Sequence, residues 1–212
     1  MTTTINAKNL TLSEVHRLFG FEKHYTNSFT SLLSLEDITE HEQQEVIQIR
    51  EDFDDYISTD RVSEGLVKAL TTFPLMRLAG FYRRPIKMSL EQDIANIIIE
   101  DEDTTITGSF DILAINKEKQ IAADIPFWIL VIESKNSLIA PRAGWPQLLT
   151  YASKSLEYQE SVWGLATSGE FYQFVNIRRG NPPTYQLMPF LTLMETEPSI
   201  LLLQVLKAIC KL

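Results

Sequence analysis

The sequence predicts an α/β domain: a mixed central sheet with helices on both faces. Three observations carry this. Helical patterns with capping signals fill the first third of the chain, short runs rich in β-branched and aromatic residues follow from Phe81, and one helix interrupts those runs before another closes the chain. At 212 residues, 44% hydrophobic and 22% charged, the chain is long enough for one domain with a substantial core.

Taken in order, Thr11 followed by Glu14 reads as a capping box opening a short helix, and Gly20 is placed to end it. Ser34 opens a second helix to about Ile57, with Ile38, Val46, Ile49, Phe53 and Ile57 as its apolar stripe. A third runs from Asp60 to about Thr72 on a stripe of Val62, Leu66, Ala69, Leu70 and Phe73, with Glu64 one position off it. IKMSL, ANIIIE, GSFDILAI and PFWILVIESK read as strands separated by the turn-like EDEDTT and NKEKQ. A helix from about Arg142 to Leu156 precedes the strands SVWGLATS and EFYQFVNI, joined through Gly169. TYQLMPF reads as an edge strand and SILLLQVLKAIC as a closing amphipathic helix. The organisation is an acidic helical extension over 1–59 followed by the main domain over 60–212.

Composition excludes several classes of function. The single cysteine, Cys210, rules out an internal disulfide and any cysteine-based zinc cluster, and it reads as a small core residue. All three histidines (His16, His24, His41) lie in the first fifth of the chain, away from the acids considered below. There is no Walker loop and no GxGxxG cradle. MTTTINAKNL lacks the apolar stretch of a signal peptide, and no run approaches the roughly 20 apolar residues of a membrane span. The expectation is a cytoplasmic protein with no membrane contact.

The net charge of -9 is unevenly spread: residues 1–60 hold 12 acidic and 4 basic residues, net -8, and the remainder 16 and 15, net -1. The acidity sits in EDITEHEQQEVIQIREDFDD, most simply a solvated helix face. A near-neutral remainder can still present a basic groove, above all where carboxylates gather around a cation.

The chemistry centres on FWILVIESKNS. Residues two apart on a strand share a face, so Glu133 and Lys135 leave the apolar run side by side. Asp111 begins an earlier strand and reaches Glu133 if the two strands are neighbours. Two converging carboxylates repel unless a positive group lies between them, and a hard divalent cation, Mg²⁺ or Mn²⁺, satisfies both. Gln147 and Tyr151, at i and i+4, share a helix face. Arg83 with Arg84 and Arg178 with Arg179 are the adjacent basic pairs, read first as solvated loops and otherwise as grips for phosphates beside the site; Trp128, Trp145 and Trp163 read first as packing residues, with Trp145 the one placed to stack on a base.

The ordered set GxxD (Gly108 to Asp111), ExK (Glu133 to Lys135), Gln147 and Tyr151 resembles the PD-(D/E)xK nuclease superfamily. Within it, IPFWILVIESK followed by QLLTY looks most like the N-terminal nuclease domain of type I restriction enzyme motor subunits and the RecB-type nucleases. The resemblance spans roughly residues 60 to 175. Phe110 departs from it, standing where the superfamily's name has proline.

That resemblance implies a restriction-endonuclease-like fold and Mg²⁺-dependent (or Mn²⁺-dependent) hydrolysis of DNA. Asp111 and Glu133 would hold the metal with the Ser134 carbonyl, and Glu64 would be an upstream helical acid added to it. Lys135 would steer the attacking water, while Gln147 and Tyr151 would contact Lys135 or the DNA backbone. One site per chain would favour a homodimer wherever both strands are cut. A binding module of the same fold, non-catalytic or dependent on a partner, is the alternative, and a hydrolase of another phosphoester is a third reading.

Overall fold

In the computed structural model, which describes residues 3–94, 96–99, 102–122 and 125–212, the expected layers are present. The strands in chain order are β1 (Thr3–Asn6), β2 (Glu22–Tyr25), β3 (Ile86–Asp93), β4 (Ile97–Ile99), β5 (Thr104–Thr107), β6 (Ser109–Ala122), β7 (Ile125–Ser134), β8 (Ser161–Thr167), β9 (Phe171–Arg178) and β10 (Thr184–Thr192). The helices are α1 (Leu12–Phe19), α2 (Glu40–Ile57), α3 (Glu64–Val67), α4 (Phe73–Ala79), α5 (Trp145–Leu156) and α6 (Thr196–Cys210). The main sheet has seven strands in the order β2-β10-β9-β8-β7-β6-β3, and a small one runs β1-β5-β4. β7 pairs in parallel with β8, and β10 with β2; the other pairings in the main sheet are antiparallel. This mixed, helix-flanked sheet is compatible with a restriction-endonuclease-like fold.

β7 explains the dry run. Leu130 and Ile132 enter the core formed with α2, α4 and α6, while Val131 enters the core under α1 and α5. A strand covered on both faces reads as continuous hydrophobics rather than as an alternation. On the second face Gly164 admits α5: a Cβ there would stand 2.3 Å from Leu148 Cδ2.

Several elements differ from the sequence expectation. The Thr11–Glu14 capping box and the left-handed Gly20 stop are both present. α2, however, starts at Glu40 rather than after Ser34, because Thr39 and Glu42 form a second capping box that fixes the start. The third helix starts at Glu64 under a Ser63 cap and continues past Thr72 through a π-turn, Lys68–Thr72, into α4. Pro74 cannot donate to the carbonyl four residues back, and the wider turn before it shifts the helix phase. The inward face is therefore Val67, Lys68, Thr71, Thr72, Leu75 and Met76, with Leu66 and Ala69 exposed.

Part of EDEDTT belongs to β5, with Glu100 and Asp101 outside the described residues, as is Ala95 of ANIIIE. NKEKQ continues β6, where Asn116 Oδ1 accepts from the amides of Glu118 and Lys119 and the register shifts. TYQLMPF is not an edge, since β2 pairs outside it. The first 59 residues thus contribute strands to both sheets as well as helices, and Val46, Ile49 and Phe53 of α2 lie in the main core.

Candidate active site

Glu133 is the last residue but one of β7 and is only 2% exposed. Its Oε1 accepts from Lys135 Nζ at 2.7 Å, so the pair emerges together as the strand alternation requires. Among the described residues its Oε2 has no hydrogen-bond partner. Burial first, and the charge of Asp111 second, push the Glu133 carboxyl up to about 7 against the pull of Lys135. Gly144, in the 3-10 turn Pro141–Gly144 before α5, makes the room: a Cβ there would lie 2.9 Å from Glu133 Cγ.

Asp111 stands where β6 and β7 part. Their last paired residues are Ile112 and Ile132, which puts Asp111 level with Glu133. Its Oδ2 accepts the Ser134 backbone N–H at 2.7 Å and closes the ladder, while Lys68 Nζ lies 3.5 Å from Oδ1. Ser134 is fully buried and its hydroxyl has no partner among the described residues.

On the other side of Asp111, Leu90 pairs with Ile112 and Gln92 with Phe110, so Glu91 is its cross-strand neighbour. Glu91 has φ 47°, a left-handed conformation costly for a side chain with a Cβ, and its Oε1 accepts from Lys68 Nζ at 3.0 Å. Glu91, Asp111 and Glu133 therefore form a row across three strands, with Lys68 between the first two. Burial works against the Lys68 charge, but the Glu91 hydrogen bond and the surrounding carboxylates outweigh it and raise its pKa.

α5 supplies the remaining contacts. Lys135 Nζ donates to Gln147 Oε1 at 2.9 Å, and Gln147 Nε2 donates to the Tyr151 hydroxyl at 3.3 Å. Tyr151 is completely buried, and burial pushes its phenol up to about 12, so it stays neutral. Gly108 leaves space for that hydroxyl, which would be 2.8 Å from a Cβ at 108. The structure thus brings Asp111, Glu133, Ser134, Lys135, Gln147 and Tyr151 into one chain of contacts.

Glu64 opens α3, half-buried, and its carboxyl is raised by burial and by the nearby charge of Asp111. Among the described residues, no three His, Cys, Asp or Glu side chains are gathered closely enough to hold one ion. Glu64 therefore adds charge from outside the Asp111 and Glu133 pair. That pair fits a divalent cation: a buried carboxylate with an unpartnered oxygen, its carboxyl raised by burial and then by a second carboxylate, is the donor set an oxygen-seeking cation relieves. Counting Glu64, Glu91, Asp111 and Glu133 against Lys68 and Lys135, four acids face two bases, and a divalent charge would balance them.

The arginine pairs are not beside the site. Glu133 aligns with Ala166 and Gln173, whereas Arg178 lies five residues further along β9, about 17 Å away. Arg179 pairs there with Glu160. Arg83 and Arg84 precede Ile86, which pairs with Asn116 at the same far end. Trp145 is partly buried beneath Lys23, whose Nζ lies 5.8 Å from its ring centroid. Sequence reasoning missed Lys68, Glu91 and Gly144. A lysine four residues after Glu64 in an otherwise apolar helix was the available signal for the first, and no sequence signal marks the other two.

No family model matches the chain, and no curated protein matches it. Among solved structures, it is similar to a fragment described as the HsdR subunit of a type I restriction enzyme from Vibrio vulnificus YJ016, with a TM-score of 0.41 and 16% identity. The match covers 67% of this chain and 26% of that one, so the chain spans about a quarter of that structure.

Proposed function

We propose that this chain is a metal-dependent nuclease that hydrolyses DNA phosphodiester bonds at Asp111, Glu133 and Lys135. The observation that carries the reading is the buried Glu133 carboxylate, which has one oxygen on the Lys135 ammonium, the other without a partner, and Asp111 beside it. Asp111 and Glu133, with the Ser134 carbonyl, would hold Mg²⁺ or Mn²⁺, and Glu64 would add charge from the helix side. Bound there, such a cation would supply a charge to polarise the phosphate and lower the pKa of water.

The chain's own groups do the rest. Lys135 is aimed by two acceptors, Glu133 and Gln147, so its ammonium has a fixed direction in which to orient water and offset charge on the phosphate. Gln147 is itself held by Tyr151, whose neutral phenol leaves the charge balance of the site unchanged. Lys68 restrains Asp111 from the opposite side. A constellation locked by packing and hydrogen bonds at the end of a rigid central strand is preorganised for reaction.

The experiment is incubation of purified protein with plasmid and linear DNA in Mg²⁺, Mn²⁺ or EDTA. Cleavage in metal, absent in EDTA and reduced at least 100-fold in Asp111→Asn, supports the reading. Metal-independent cleavage, or none in either metal, defeats it.

A further inference from the structure

A polar cleft of about 340 Å³ opens at Ser109, two residues before Asp111 on β6. Its walls carry Asn6, Lys8, Asp93, Asn96, Thr107 and Ser109. The floor is closed where the Ile94 amide donates to the Gly108 carbonyl at 2.9 Å, and Gly108 is the residue that touches the Tyr151 hydroxyl. Ser109 of the cleft and Asp111 of the acid row are thus two residues apart on β6. The charge of Lys8 is also felt at Glu64, which it stabilises in the ionised form.

The N-terminal segment builds one wall. β1 pairs with β5 in parallel register, Asn6 Oδ1 accepts the Lys8 amide at 3.0 Å, and Ala7 is fully buried against Gly108. Lys8 is thus an exposed cation on a fixed backbone. Asp93 lines the same cleft, so an anion entering it is drawn to Lys8 and away from Asp93. Among the described residues no aromatic ring lines the cleft, and its character is polar rather than that of a stacking platform. Its amides and hydroxyls instead offer donors and acceptors to a base edge or a sugar.

A cleft of about 340 Å³ has room for a single nucleotide, and a base enters such a pocket only once it is out of the duplex stack. Two residues of strand separate Ser109 from Asp111, about 7 Å, comparable to the spacing of successive phosphates along a strand. We propose that this cleft receives one unpaired nucleotide next to the phosphodiester held at Asp111 and Glu133, with Lys8 gripping its phosphate. The inference rests on the nuclease reading and names its substrate: DNA that is single-stranded at the cut.

The test measures binding of a fluorescent dodecathymidylate and of a duplex of equal length by anisotropy, in Ca²⁺ at four salt concentrations, with cleavage in Mg²⁺ followed in parallel. Lys8→Ala is expected to weaken single-strand binding about 5- to 10-fold and to flatten the log affinity against log salt slope by about 0.7, the value of one phosphate contact. Asn96→Ala weakens it with the slope unchanged, and neither variant alters the melting temperature. If wild-type protein cuts DNA while Lys8→Ala keeps the affinity and slope, or weakens single strand and duplex alike, the cleft assignment is overturned and the nuclease reading survives. Absence of both binding and cleavage in the wild type overturns both.

Discussion

At the scale of the residue, Glu133 carries the sharpest electrostatic consequence. Its carboxyl is raised to about 7 from 4.5, so between those pH values the folded chain holds a proton that the unfolded chain has lost. Stability contributed by this group is then present below the unfolded value and lost as pH rises through the folded one, on the order of 3 kcal/mol in total. In EDTA, urea unfolding from pH 5 to 8.5 should show wild-type stability falling by that order, while Glu133→Gln, which still offers Lys135 an acceptor, stays flat. Equal pH profiles would refute the assignment. Gly144→Ala tests the same carboxylate through sterics: its methyl group would stand 2.9 Å from Glu133 Cγ, so a stability cost of about 1 to 3 kcal/mol is expected, together with loss of cleavage.

At the scale of the element, the segment from Glu64 to Ala79 shows how far the sequence could be read. A helix to about Thr72 was legible, but neither its continuation to Ala79 nor its phase was, because the π-turn at Lys68–Thr72 adds a residue to one turn. The apolar stripe read at regular spacing therefore pointed outwards at Leu66 and Ala69 and hid Lys68, which is 8% exposed and touches Asp111 and Glu91. By contrast, Asp111, Glu133, Lys135, Gln147 and Tyr151 were legible because their relations are periodic: two residues apart on one strand, four apart on one helix, in neighbouring strands. Glu91 and Gly144 act through a left-handed backbone and a missing Cβ, which no spacing encodes. Lys68→Met should keep the chain folded, since the methionine stem fills the same volume. It should lower cleavage at least 10-fold by releasing Asp111, as single-turnover rates at saturating metal would show.

At the scale of the whole molecule, the N-terminal segment is built into the sheets and the site. β1 pairs with β5, Ala7 and Leu10 are buried with Tyr151 in one cluster, and β2 extends the main sheet. Deleting residues 1–10 removes that cover, and the loss of buried Leu10, Ala7 and part of Ile5 should cost on the order of 3 kcal/mol, measurable as a lower melting temperature; an unchanged one would contradict this packing. Among the described residues no helix is long and apolar enough to cross a membrane. A metal-dependent nuclease of this kind needs Asp111 and Glu133 to bind a divalent cation and Lys135 to act on the phosphate. The most direct test is titration calorimetry with Mn²⁺ on wild type, Asp111→Asn and Lys135→Ala, paired with DNA cleavage by the same samples. Mn²⁺ is expected to bind wild type and Lys135→Ala, and to bind Asp111→Asn at least 10-fold more weakly, with cleavage by wild type alone. Cleavage by Lys135→Ala at the wild-type rate, or Mn²⁺ binding indifferent to Asp111→Asn, would contradict it.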